Sequence, residues 1–227
     1  YFPGKVLNQA VSEAETEWVV FINSDVVLLD PYAIERLIEP LYEAKTAATF
    51  GRQVVRPEAS LLVRHDYARA FPDSPEHPEW MHYSLPIAAM KKSVWETIPF
   101  YTDAWGSEDT HWGKHAKEQG YKVVYVHDAV AMHSHNYTLK QLASRRRIEG
   151  EADVYIYPGK QSSLLSAIST YIKSTLREGW HYLINGKLLG IPYLLADRFV
   201  YVWHYHQGVV HAREKKSITF GNYQKSL

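Results

Sequence analysis

Cysteine is absent from the 227 residues. That excludes a disulfide framework, a thiolate metal site and a cysteine nucleophile, and it fits a reducing compartment. An excess of charge of one sign is also missing, since 25 Lys and Arg balance 25 Asp and Glu. A nucleic-acid binder relying on a basic surface would not be so balanced, so no nucleic-acid partner is expected. No uninterrupted apolar run approaches the roughly 20 residues of a membrane span. The chain opens on Tyr1-Phe2-Pro3-Gly4, without a charged-then-apolar leader, so no secretory signal is expected.

What is present is enough to fold. With 46% apolar and 22% charged residues the chain can bury a core, which excludes wholesale disorder. Its length suits one domain with a small appendage. From Gly4 to Ala14 the apolar residues recur at helical spacing, and Glu17-Trp18-Val19-Val20-Phe21-Ile22 reads as a buried strand ending in Asn23-Ser24-Asp25. Asp30-Pro31 opens a helix striped by Ile34, Leu37, Ile38, Leu41 and Tyr42, and Thr46 to Phe50 reads as the next strand. This alternation predicts an α/β domain with a mixed, mainly parallel sheet. Residues 56–86, punctuated by Pro57, Pro72, Pro75 and Pro78, read as a long loop. Beyond it come a strand over 86–90, a helical turn at 93–95 and a helix from Glu108 to Gln119 closed by Gly120. Strands over 121–126 and 129–135 follow, then a helix from Thr138 to about Tyr155. The pattern changes after Gly159, which sets the expected domains at 1–158 and 159–227, the second with helices at 164–176 and 193–206.

Several side chains could do chemistry. Asp25 ends a strand, where open α/β sheets gather ligands, and its carboxylate suits a hard divalent cation or a simple turn cap. In Trp105-Gly106-Ser107-Glu108-Asp109, two acids start a helix, where they stabilise its amide end or supply a general base. His133 and His135, two apart in an expected strand, would share a face and suit metal or phosphate, although with 12 His a chance pair is unremarkable. Arg145-Arg146-Arg147, a turn after Gln141, reads as a solvated face or as a fork onto a diphosphate.

Their order resembles a known family. Val19-Val20-Phe21-Ile22-Asn23-Ser24-Asp25 is similar to the strand and aspartate motif of family 2 glycosyltransferases of GT-A fold. Phe50 to Pro57 resembles a stretch of rhamnosyltransferase-like members, and Glu108-Asp109 through Gly120-Tyr121 to Tyr137 resembles the acceptor-side segment. The likeness covers roughly Gly4 to Asp153 and implies specific roles. Asp25 and His133 would hold Mg2+ or Mn2+ on the donor diphosphate, with Asn23 replacing the first aspartate of the motif. Asp109 would be the catalytic base and Glu108 its acceptor-side neighbour. Lys5, Asn8, Asp25 and Arg145 would bind the donor, and Trp105, Gly106 and Gln141 the acceptor.

The activity so implied is an inverting transfer from a nucleotide-sugar donor to a saccharide or lipid-linked saccharide acceptor in cell-surface polysaccharide synthesis. The expected setting is the cytoplasm, with peripheral contact at the inner face of the membrane. The family's strands for base and ribose precede the segment matched at Gly4, so this chain alone is expected to be poorly active. Two rivals stand beside this reading: an inactive sugar-binding or assembly protein of the same fold, and a phosphoesterase using Asp25, His133 and His135. Toward the C-terminus Tyr193, Leu194, Leu195, Phe199, Val202 and Trp203 precede Arg213, Lys215 and Lys216. That mix suits either a membrane interface or a helical cover and homodimer contact.

Overall fold

The computed structural model describes residues 2–223, with side chains described as far as Lys215. It divides into two units, Tyr1–Asn136 and Tyr137–Leu227. The boundary expected near 158 falls within the second unit, between its first two helices.

The first unit begins with helix α1 (Pro3–Glu13), whose proline sits in the first turn where its missing N–H costs nothing. Strand β1 (Trp18–Ile22), the short β2 (Val27–Leu28) and helix α2 (Ala33–Ile38) follow. Then come β3 (Thr46–Val54), α3 (Leu61–Ala70), β4 (Ile87–Lys91), α4 (Lys92–Thr97), α5 (Glu108–Glu118) and β5 (Lys122–Met132). The five strands lie in the order β1-β4-β3-β5-β2.

The sheet is mixed, as expected, but its pairing corrects the expectation of mainly parallel ladders. Strands β3 and β5 pair in parallel, whereas β1 with β4, β4 with β3, and β5 with β2 are antiparallel. The run Ile87-Ala88-Ala89-Met90 is buried throughout. A continuous apolar run reports burial on both faces and says nothing of direction.

Side chains alternate between two apolar layers. Val19, Phe21, Phe50, Ala88 and Met90 face a core built with Val11, Val94 and Trp112. Trp18, Val20, Ile87 and Ala89 face a smaller core built on Ala33, Leu37 and Leu41. Helix α2 thus covers one face, and α1, α4 and α5 cover the other.

Two local readings need correction. The expected loop over 56–86 contains α3, started by the Ser60 side chain accepting from the Val63 amide at 3.3 Å. Arg64, His65, Asp66 and Arg69 interrupt its apolar spacing, which hides it from periodicity. The expected strands at 121–126 and 129–135 are one strand with an irregularity: Gly51 pairs with Val126, but Arg52 pairs with Val130. Before that step Val123 and Tyr125 face the larger core; after it Ala129 and Ala131 face the smaller one. His133 and His135 lie beyond the strand end.

The second unit is helical: α6 (Leu139–Ile156), α7 (Leu164–Ile184) and α8 (Ile191–Tyr223). Thr138 and Gln141 form a reciprocal capping box at the start of α6. Helices α6 and α8 approach closely at glycines. A Cβ on Gly150 would lie 2.3 Å from the Tyr205 carbonyl oxygen, and one on Gly208 would lie 2.1 Å from that of Arg147. Leu194 and Val202 of α8 are buried. They belong to the packing of this unit. Tyr193, Leu195 and Phe199 are exposed. Lys216 lies outside the residues whose side chains are described. Among the described residues no helix is long and apolar enough to cross a membrane.

Candidate active site

Where β1 ends, the chain turns through Asn23-Ser24-Asp25, with the Val26 amide donating to the Asn23 carbonyl at 3.0 Å. Beside this turn runs the exit of β5, where the His133 amide donates to the Val54 carbonyl at 2.9 Å. These two exits bring together groups 108 residues apart in sequence. Asp25 Oδ2 lies 3.6 Å from His133 Nε2 and 3.3 Å from His135 Nε2. The imidazole rings meet edge to face, their centroids 4.9 Å apart.

Hydrogen bonds hold His133 in place from behind. Gln53 Nε2 donates to Ser84 Oγ at 2.9 Å, which leaves Gln53 Oε1 as the acceptor facing His133 Nδ1 at 2.7 Å. This network assigns the ring proton to Nδ1 and turns the Nε2 lone pair toward Asp25. Both side chains are buried, Gln53 being 3% exposed and His133 6%. Arg56 frames the other side. Its amide donates to Ser134 Oγ at 2.9 Å, and its guanidinium donates to the Asp25 carbonyl oxygen.

Asp109 lies in the first turn of α5, behind Ser107, which caps that helix in the left-handed region at φ 62°. Its Oδ1 accepts from the Thr110 amide at 2.7 Å and its Oδ2 from the Leu85 amide at 3.4 Å. Nearby Tyr83 is buried; burial, and then the charge of Asp109, push its phenol well above the usual tyrosine range.

The segment Ser84-Leu85-Pro86 touches each of these parts in turn. Ser84 meets Gln53, Leu85 holds Asp109, and the Pro86 carbonyl accepts from the Asn23 amide at 3.0 Å.

The donor set fits a cation. The ligand atoms of Asp25, His133 and His135 lie within 4.8 Å of one another. Two bonds of about 2.0–2.2 Å to a shared centre span up to about 4.4 Å, which accommodates the Asp25–His133 and Asp25–His135 separations of 3.6 Å and 3.3 Å. Two imidazoles with one carboxylate suit Mn2+ better than Mg2+, which prefers oxygen.

Other expected site residues lie elsewhere or serve other ends. The Asn8 side chain ties α1 to the segment following α4. It accepts from Trp95 Nε1 at 2.8 Å and the Phe100 amide at 2.9 Å, and it donates to the Phe100 carbonyl at 2.8 Å. Those bonds give it a structural role. Lys5 is exposed, its ammonium 5.1 Å from the Phe2 ring centre. Trp105 is exposed and packs beside Phe2, with Gly106 next to it half-buried. Gln141 and Arg145 belong to the second unit, where Gln141 closes the capping box and Arg145 bonds Glu149 at 2.9 Å and the Tyr137 hydroxyl at 2.7 Å. A surface hollow lined by Trp18, Ile34, Glu35, Ile38, Glu39 and Tyr42 contains none of these groups.

Gln53 and Arg56 carry no role in the sequence reading, although both fall in the Phe50–Pro57 stretch that resembles rhamnosyltransferase-like members. That stretch was the available signal.

A mixed sheet clad in helices thus places a carboxylate and two histidines together at its strand exits and a second carboxylate at a helix start. The family described as glycosyltransferase like family 2 matches residues 3–150, and the chain belongs to it. The chain is 29% identical to the O-antigen chain rhamnosyltransferase WbaN of Salmonella anatum and 30% identical to RfbN of Salmonella typhimurium. Each match covers 61% of this chain and 48% of the relative, so the chain spans about half the length of the curated relatives it matches. Among solved structures it is similar to the mannosyltransferase PcManGT of Pyrobaculum calidifontis, in complex with GDP-Man and Mn2+, at TM-score 0.57 and 16% identity. That match covers 94% of this chain and 67% of the other, and it shows a shared GT-A fold.

Proposed function

We propose that the chain carries the catalytic part of an inverting, metal-dependent glycosyltransferase. It would move a sugar from a nucleoside-diphosphate donor to a saccharide acceptor, on the cytoplasmic side, in cell-surface polysaccharide synthesis. The observation that carries this reading is the tie, through Ser84-Leu85-Pro86, between the Asp25–His133–His135 cluster and Asp109. The O-antigen role of the two bacterial relatives supports the polysaccharide setting.

Each residue has a task in the proposed reaction. Asp25, His133 and His135 hold the cation, which when bound neutralises charge developing on the leaving diphosphate. Arg56, whose guanidinium reaches the Asp25 carbonyl, adds positive charge on the same side. Asp109 accepts the proton of the acceptor hydroxyl as its oxygen attacks the anomeric carbon from the face opposite the diphosphate. The C–O bond to the diphosphate breaks as the new glycosidic bond forms. The Leu85 and Thr110 amides hold the Asp109 carboxylate in one orientation.

Asp109→Asn keeps the shape and removes the base. Transfer from nucleotide-sugar donors in the presence of Mn2+ should fall by about 10²–10⁴-fold while donor binding by calorimetry is unchanged. Wild-type turnover in that variant would remove Asp109 from the role. Release of phosphate from simple esters without sugar transfer would favour the phosphoesterase reading instead.

A further inference from the structure

The second unit leaves a long apolar surface uncovered. Along α7 Leu165, Ile172, Leu176 and Leu183 are 79%, 50%, 69% and 51% exposed, and Leu189, in the turn after the helix, is 99% exposed. Scattered apolar side chains are ordinary on a protein surface, but a contiguous stripe of this length marks a contact site.

The stripe is distinct from the face that packs. Helix α7 buries Ala167, Ser174, Glu178 and Tyr182. At about 100° per residue these occupy one arc of the helix, and Leu165, Ile172, Leu176 and Leu183 occupy another roughly opposite. Ser166, Thr170, Lys173 and Arg177 fill a third, polar arc between them.

Charge indicates what covers the stripe. From Leu164 to Gly190 the acidic side chain is Glu178, which is buried and bonded by the Arg177 guanidinium at 2.8 Å. Lys173, Arg177 and Lys187 are exposed. The outward surface is therefore Leu, Ile and Trp fringed by cations, with no exposed carboxylate. A second copy placed against it would bring like charges together. A sheet of anionic headgroups over hydrocarbon offers the opposite charge to the rim and an apolar phase to the stripe.

We propose that α7 and the Leu188-Leu189 turn lie flat in the surface of an anionic bilayer, apolar arc inward. The helix does not span, since no described helix is long and apolar enough. Leu189, beside Lys187, reaches into the acyl boundary while the lysine stays with the headgroups. This contact is independent of sugar-transfer chemistry, because it needs neither cation nor donor.

The test is flotation of the 227-residue chain on phosphatidylcholine vesicles with and without phosphatidylglycerol. The absence of cysteine makes Leu189→Cys a single labelling site for an environment-sensitive fluorophore. Vesicles with phosphatidylglycerol should bind the chain at least about tenfold better than neutral ones, less so in high salt, and the fluorophore should shift to the blue. Leu165→Glu with Leu176→Glu, both at exposed positions, should abolish flotation while the circular dichroism spectrum stays unchanged. Absence of flotation, equal flotation on neutral vesicles, or flotation retained by the double variant would overturn the proposal. So would a dimer that the double variant dissolves in a chain that binds no vesicle. None of these outcomes bears on Asp109 or the cation, so the transferase reading is tested separately.

Discussion

Gln53 and His133 sit side by side in the buried interior, Oε1 of one 2.7 Å from Nδ1 of the other. The contact fixes both the tautomer and the tilt of the ring, because Ser84 holds the far end of the same amide. Outer partners of this kind typically contribute about 10–100-fold to metal affinity. Gln53→Leu should weaken Mn2+ binding by that factor, measured by calorimetry or by the electron paramagnetic resonance of unbound Mn2+. Gln53→Glu, which keeps an acceptor for Nδ1, should recover much of it. Equal weakening in both variants would mean that the amide serves packing alone.

His135 is exposed, unlike His133, so its removal should be cheap for the fold. His135→Ala should change stability by no more than about 0.5 kcal/mol in urea unfolding. The same variant should lose at least about tenfold in Mn2+ affinity, and the wild type should hold Mn2+ more tightly than Mg2+. Undiminished Mn2+ binding would remove His135 from the ligand set.

Stability should fall in mild acid. Burial first, and then nearby charges of Lys117, Lys114 and His115, lower the pKa of His77, His82 and His111 below the ordinary histidine value of 6.5. Between the folded and unfolded pKa values the unfolded chain takes up protons that the native chain refuses. Stability from these rings is therefore fully present above about pH 6.5 and is lost as pH falls through the lowered values. The melting temperature should be lower at about pH 5.5 than at about pH 7.5, and His111→Phe should flatten that dependence.

The glycines between α6 and α8 reverse a common rule. Gly to Ala in a helix interior ordinarily stabilises by about 0.8–1 kcal/mol. At Gly208 the added methyl would meet the Arg147 carbonyl oxygen at 2.1 Å. Forcing the helices apart typically costs about 1–3 kcal/mol, which outweighs the propensity gain. Gly208→Ala should lower the unfolding midpoint, and a raised midpoint would show that the helices separate freely.

Much of this architecture is legible in the sequence, for reasons that differ by element. The run Trp18 to Ile22 announces a strand through β-branched and aromatic residues, and Thr138 with Gln141 announces a helix start through a pair that caps reciprocally. The direction of β4 is illegible, because Ile87-Ala88-Ala89-Met90 would look the same in either sense. Helix α3 hides behind its charged residues. At the site, Asp25, His133 and Asp109 stand out as residue types with known chemistry. Gln53 does not, since a polar residue within a strand gains meaning only once Ser84 and His133 are beside it. Asn8 shows the opposite case. It looks available on its helix until Phe100, 92 residues later, is seen to occupy it.

The step in the β3–β5 ladder governs more than local pairing. By seating His127, Asp128 and Ala129 outside the regular register, it turns the remainder of β5 over, so that Ala131 lies opposite Gln53 and His133 follows onto the neighbouring exit. Loss of a single residue there would rotate the pleat by half a turn and send the imidazole to the wrong side of the sheet. Chain length at this one spot is therefore as much a part of the cation site as the ligands themselves, and a change of one residue there would forfeit the centre with every donor atom still encoded.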